Sequence, residues 1–182
     1  MIAISALVVG AMVAIAISRL DLGDTIKEIT LPLRHDDIIR QQAAEKDLDP
    51  ALISAVIYAE SRFNEGRRSS AGAIGLMQVT PQTAKVIEHL SGGTTFVTQD
   101  LKDPEINIRY GSYYLRYLLD RYDGNEVAAL AAYHAGPGSV DQWGGSTIDV
   151  EDIGFPDTKA YVQEVLTKRD EYRHKYADDL GL

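Results

Sequence analysis

The chain has 182 residues, 18 Lys and Arg against 27 Asp and Glu, and no cysteine. A net charge of −9 has the wrong sign for holding a phosphate backbone, so nucleic acid is not an expected partner. The lack of cysteine excludes a disulfide framework, a Cys-based metal site and a lipid-modified N-terminal cysteine, while 45% hydrophobic content suffices for one core of ordinary size.

Met1 to Ser18 carries no charged side chain, and Ile2 to Ile17 is interrupted only by Ser5 and Gly10. As a helix this segment spans about 27 Å at ~1.5 Å per residue, marginal for a hydrocarbon core. It reads as a signal-anchor helix or as a cleaved signal peptide, with a buried N-terminal core helix as a third reading. Ala14-Ile15-Ala16 offers a cleavage pattern, but no Lys or Arg precedes the apolar run. Either of the first two readings takes the chain across a membrane, and Arg19 alone is too little to set topology. Residues 19–33 mix charge with Gly23 and Pro32 and read as a tether, leaving 34–182 as one domain.

That domain reads as mainly α. A first helix is expected from Asp36 to Lys46. Asp49 then caps a second that starts at Pro50. Thr80-Pro81 opens a third, stopped by Ser91-Gly92-Gly93, and Asp103-Pro104 opens the longest internal one, to about Tyr122. In that helix Ile106, Tyr110, Tyr113, Tyr114, Tyr117 and Leu118 form the apparent core stripe. Asn125 caps a helix over Glu126 to Ala135, which Gly136-Pro137-Gly138 breaks before a short turn carrying Trp143. Gly144 to Pro156 is irregular. A last helix runs from Asp157, its expected N-cap, to about Tyr176, and at most a small hairpin lies near Ala73–Val79.

Glu60 stands out. It closes the nearly all-apolar second helix in line with Ile53, Val56 and Ile57. A carboxylate there loses water and faces the negative end of the helix dipole, and both effects raise its pKa. An acid still protonated near neutral pH is what cleavage of a glycosidic bond requires. A helix-end acid turned to solvent is the alternative from this helix alone.

After Glu60-Ser61-Arg62-Phe63 come Ser69 to Ala84, with Gly75-Leu76-Met77-Gln78 at its centre, then Asp103-Pro104-Glu105-Ile106-Asn107-Ile108, Ala132-Tyr133-His134-Ala135-Gly136, and Tyr161-Val162. In order and spacing this series, from about Ile38 to Leu166, resembles the soluble lytic transglycosylase (SLT) domain family, lysozyme-like enzymes that cleave bacterial cell-wall glycan. The resemblance implies a lysozyme-like fold of goose type, an extracytoplasmic location, peptidoglycan glycan strands as substrate, a monomer, and no cofactor or metal. The N-terminal segment would add a membrane contact if uncleaved.

The resemblance further implies a chemistry. Glu60 would protonate the leaving oxygen of a β-1,4 linkage between muramic acid and glucosamine. The same carboxylate would then act as base on the 6-hydroxyl of that muramic acid, closing a 1,6-anhydro ring without water. Gln78 would hydrogen-bond a substrate hydroxyl or acetamido group, with an amide that satisfies buried backbone as the alternative, and Met77 would lend apolar surface beside the sugar. Ser69 would bond Glu60 or an N-acetyl group, and Ser61 would turn to solvent or back to its own helix. Tyr133 and Tyr161 match two cleft tyrosines. His134 departs from the family, which has Asn there, and is expected to add pH sensitivity on the acid side. Asp157, where the family often has Glu, is the best candidate for a second acid, though Lys159 in place of Arg weakens any pairing. A hydrolytic muramidase of goose-lysozyme type and a non-catalytic wall-binding module remain as alternatives.

Overall fold

Four of the helix starts in this chain are set by side-chain caps, and the computed structural model, which describes residues 30–92 and 97–182, shows these four caps closed. Asp49 Oδ1 accepts from the Ala51 amide at 2.9 Å, Thr80 Oγ1 from Thr83 at 3.0 Å, Asp103 Oδ1 from Ile106 at 3.1 Å and Asn125 Oδ1 from Ala128 at 3.1 Å. Each satisfies one of the orphan amides of a first turn. The apolar segment of residues 1–18 and the tether as far as residue 29 lie outside the described residues.

Leu33–Leu182 is a single compact unit. Its helices are α1 (Asp36–Lys46), α2 (Pro50–Ser61), α3 (Pro81–Ser91), α4 (Pro104–Arg121), α5 (Glu126–Ala135), α6 (Pro137–Trp143), α7 (Pro156–Lys175) and α8 (Ala177–Leu180). Single 3-10 turns lie at Thr98–Lys102, Gly145–Thr147 and Val150–Asp152. No strand occurs among the described residues. The expected hairpin is reduced to isolated bridges between Arg68 and Ile74 and between Ile74 and Val79.

The centre of the unit is α2. Every residue from Ala51 to Ile57 is buried, so this helix is apolar all round, as a helix enclosed by others must be. Against it lies α7, antiparallel: Arg173 pairs with Asp49 at the start of α2, and Arg62 pairs with Glu164 beyond its end, at 2.7 Å. On the second buried helix, α5, Ala128 to Ala132 are all buried, and the four alanines among them let it pack closely against α4, α6 and α7.

Three local expectations change. The residues after Gly136 form a helix, α6, where a turn was expected, because Pro137 takes its first position and the Ser139 hydroxyl bonds back to Ala135 O at 3.0 Å. Helix α7 begins at Pro156 with Phe155 at the N-cap, so Asp157 sits inside the first turn and caps nothing. The core face of α4 carries Asn107, Ile108, Gly111, Ser112, Leu115, Leu118 and Leu119. Of the expected stripe only Leu118 is in the core; Ile106, Tyr110, Tyr113, Tyr114 and Tyr117 are half-buried flanks.

Candidate active site

Glu60 occupies the last turn of α2, half-buried, above the fully buried Ile53, Val56 and Ile57. Loss of water pushes its carboxyl up to about 7; the Tyr161 hydroxyl and the positive charge of Arg67 pull the other way and only partly offset it. The solvent-facing alternative for this residue is therefore set aside.

Immediately beyond Glu60 the chain turns sharply. Ser61 bonds back to Ile57 O at 3.0 Å, and Arg62 and Phe63 both adopt left-handed backbone, with φ of 55° and 59°. Two consecutive non-glycine residues in this region carry strain, which the surroundings hold in place. Phe63 is buried against Tyr172, and the Arg62 guanidinium lies 4.0 Å from the Tyr58 ring centroid. This turn directs the loop of residues 64–79 back across the end of α2.

The loop is shaped from beneath by a residue whose importance the sequence reading missed. Asn107, on the core face of α4 and 1% exposed, accepts from the Met77 amide at 2.8 Å. It donates to Ile74 O at 2.8 Å and to Leu101 O at 2.9 Å. Gly75 sits against this side chain with φ 78°, where a Cβ would stand 2.7 Å from Asn107 Cγ and 2.9 Å from Leu101 O. An asparagine at a core-facing helical position is the signal that was available, and the misassigned face of α4 hid it.

The Met77 side chain does not supply surface beside a sugar. It is fully buried, and its sulfur packs on Gly111 and takes a contact from Ser112 Oγ at 3.9 Å. Its backbone does reach the site, because Met77 O accepts from the Tyr133 hydroxyl at 2.9 Å. The Gln78 amide nitrogen is committed to Gly75 O at 2.8 Å and Arg67 O at 3.1 Å, so it holds the loop closed. Ser69 is exposed, and its hydroxyl accepts from the Ala73 amide at 3.0 Å; none of the described hydrogen bonds joins it to Glu60.

Two phenols converge on Glu60 from other helices. Tyr133 comes from α5 and Tyr161 from α7, and burial together with the neighbouring Glu60 charge raises both pKa values well above the ordinary range. They therefore stay protonated as hydrogen-bond donors. The Tyr161 hydroxyl is buried with no partner at strict hydrogen-bond geometry, yet it lies close enough to Glu60 to favour the carboxylate. Tyr133 in turn packs on Tyr114, 5.6 Å between centroids, and Tyr114 stacks on Tyr117 at 6.1 Å.

His134 lies on the rim. Its ring stacks on Tyr161 at 4.6 Å, and its Nδ1 is 3.0 Å from Thr158 Oγ1. Partial burial lowers its pKa, with Asp157 opposing the shift. Asp157 itself is exposed. Among the described residues no three His, Cys, Asp or Glu side chains are grouped to hold a metal ion. A cavity of about 470 Å³ between α1 and α4, lined by Lys46, Tyr113, Arg116 and Tyr117, does not include Glu60.

Comparison with known proteins places the chain in a family. The family model of the transglycosylase SLT domain matches residues 37–154. A soluble lytic murein transglycosylase of Salmonella typhimurium is 36% identical over 161 residues, covering 84% of this chain and 25% of the relative. The membrane-bound lytic murein transglycosylase C of Haemophilus influenzae is 34% identical over 141 residues, 67% of this chain and 40% of the relative. Among solved structures, an inactive glutamate-to-glutamine mutant of the lytic transglycosylase Slt of Pseudomonas aeruginosa superposes with a TM-score of 0.76 at 37% identity, covering 82% of this chain and 25% of that one. The 70-kDa soluble lytic transglycosylase of Escherichia coli gives 0.75 at 35% identity, covering 81% and 25%, and a complex of the 70-kDa soluble lytic transglycosylase with bulgecin A gives 0.75 at 34%. The chain thus spans about a quarter of the length of the soluble relatives. The mainly helical, lysozyme-like fold expected from the sequence is the fold of these neighbours.

Proposed function

The chain belongs to the transglycosylase SLT domain family, and on that premise we propose that it is a peptidoglycan lytic transglycosylase in which Glu60 is the one acid–base group. The observation that carries this reading is the Glu60 carboxyl itself, held near pKa 7 between two protonated phenols. In its protonated form Glu60 donates to the glycosidic oxygen as the bond to the muramic acid breaks. The carboxylate so formed takes the proton of the muramic 6-hydroxyl while that oxygen closes on the anomeric carbon. Glu60 is thereby reprotonated, and no water enters. An internal nucleophile reacts at high effective molarity, so a second carboxylate to activate water is not required.

The other residues hold this geometry. Tyr161 favours the carboxylate form, and Tyr133 fixes the loop through Met77 O. The Gln78 amide oxygen, with its nitrogen spent on backbone, is the group left to receive a substrate hydroxyl or acetamido N–H. Ser69 and His134 contribute at the rim. That a glutamate-to-glutamine mutant of the Pseudomonas aeruginosa relative is inactive fits an essential glutamate in this fold. The groups that act on Glu60 are burial, Tyr161 and Arg67, which favours this reading over a hydrolytic muramidase. The domain works as a monomer on glycan strands in the extracytoplasmic envelope, secreted or anchored through residues 1–18.

Release of soluble fragments from purified peptidoglycan by the full chain tests the proposal. Loss of release in a folded Glu60→Gln variant supports it. A folded, unsubstituted chain that binds peptidoglycan and releases nothing would instead assign the domain to binding.

A further inference from the structure

Among the described residues Phe155 is the only Phe, Tyr or Trp side chain that is exposed, at 52%. An apolar ring so placed forgoes the stabilisation of burial. It is nevertheless held firmly. The Trp143 indole meets it edge-on, 5.0 Å between centroids and 87° between planes. Gly154 lies so close beneath the indole that a Cβ there would stand 2.6 Å from Trp143 Nε1 and 3.2 Å from Cε2. The glycine thus lets the backbone seat the Trp143–Phe155 pair.

The pair is linked to Glu60 through the start of α7 and the exposed His134, by way of the buried Thr158. Phe155, Thr158 and Tyr161 stand at successive three-residue steps, a row covering about 9 Å of helix axis. Tyr161 faces Glu60, Thr158 bonds His134, which covers Tyr161, and Phe155 ends the row in solvent. That length is on the order of one disaccharide repeat. A pyranose ring presents a face of C–H groups that packs on an aromatic ring, rimmed by hydroxyls that seek polar partners. The exposed His134, within reach of the Asp157 charge, offers polar atoms of this kind one turn along.

We propose that Trp143 and Phe155 form a distal saccharide subsite, a stacking platform for a sugar of the same glycan strand that crosses Glu60. It rests on glycan being the ligand of the cleft. Trp143 is the only tryptophan in the chain, so its emission reports on this platform alone.

The full chain carrying Glu60→Gln is titrated with uncrosslinked strands of alternating N-acetylglucosamine and N-acetylmuramic acid, and with the disaccharide, by calorimetry and by tryptophan emission. Long strands are expected to shift the emission and the disaccharide to leave it unchanged. Phe155→Ala is expected to weaken strand binding about tenfold, the change that ~1.4 kcal/mol of lost contact brings, and Phe155→Tyr to retain it. Strand binding seen by calorimetry with unchanged emission and unchanged affinity in Phe155→Ala would overturn the subsite and leave the cleft reading standing. No strand binding, with no cleavage by the unsubstituted chain, would remove the proposed function and the subsite with it.

Discussion

Asn107 accepts the Met77 amide at 2.8 Å, so a side chain buried on α4 sets the shape of the loop that covers the end of α2. The same side chain donates to Ile74 O and Leu101 O, leaving neither of its N–H groups idle. Asn107→Ala strands a buried N–H and two carbonyls. A loss of about 3 kcal/mol is expected, at ~1 kcal/mol for each of these hydrogen bonds. Asn107→Asp keeps the acceptor but turns a carboxylate on two carbonyls, and should be no better than Ala. Urea denaturation midpoints of the two variants decide this; wild-type stability in either would show that the loop holds itself.

Gly111 is required by Met77, which lies against it with Cβ 2.6 Å from where a new Cβ would stand. Gly111→Ala therefore overpacks the centre of the domain at a cost of about 1–3 kcal/mol. Because Met77 O anchors Tyr133, cleavage activity should fall further than the stability loss alone explains. A variant of full activity would mean that the loop shifts without disturbing Tyr133.

The raised pKa of Glu60 links stability to pH. The unfolded chain holds this carboxyl near its ordinary 4.5 and the folded chain near 7, so between these values the folded state binds more protons. Stability from this group is present at low pH and falls as pH rises through about 7, by at most about 3 kcal/mol. Glu60→Gln has no proton to lose and should be more stable than the unsubstituted chain at pH 8, with the difference shrinking toward pH 5. Parallel unfolding curves across that range are the check; a constant difference would place the carboxyl pKa back near its ordinary value.

Activity should carry the same signature. The reaction needs Glu60 protonated, so kcat/KM should decline on the alkaline side with an apparent pKa near 7. Tyr161→Phe removes a hydroxyl that favours the carboxylate, and Arg67→Met removes a positive charge that does the same. Both should move the alkaline limb to higher pH, at reduced maximal rate for Tyr161→Phe. Movement to lower pH would assign the limb to another group.

His134 titrates below its ordinary value, since partial burial disfavours the cation and Asp157 offsets this only in part. Its protonation alters the ring that stacks on Tyr161, which gives activity an additional acid limb. His134→Asn should remove that limb and leave the alkaline one. An unchanged acid side would sever His134 from the reaction.

The helix starts were legible because capping is local. Asp49-Pro50, Thr80-Pro81, Asp103-Pro104 and Asn125 each announce themselves in the residues that make the cap. Glu60 was legible because an acid in an apolar row is a conflict, and the structure keeps that conflict. The face of α4 was not legible. Four tyrosines outweigh Gly111 and Ser112 on any count of hydrophobicity, yet the two small residues turn inward because Met77 needs the space. The same inversion placed Met77 beside a sugar in the sequence reading and puts it in the core in the structure. Helix α6 was hidden for a related reason, since Gly136-Pro137-Gly138 reads as a break whether or not Pro137 begins a new helix.

The most direct measurement is the mass of the glycan ends made when the full chain meets purified peptidoglycan, with Glu60→Gln beside it. If Glu60 acts as acid and then base on the muramic 6-hydroxyl, the muramic ends are lighter by one water and vanish with the substitution. Ordinary reducing ends would contradict this, because they require a water and a second carboxylate to activate it, and Asp157 would be the first residue to substitute.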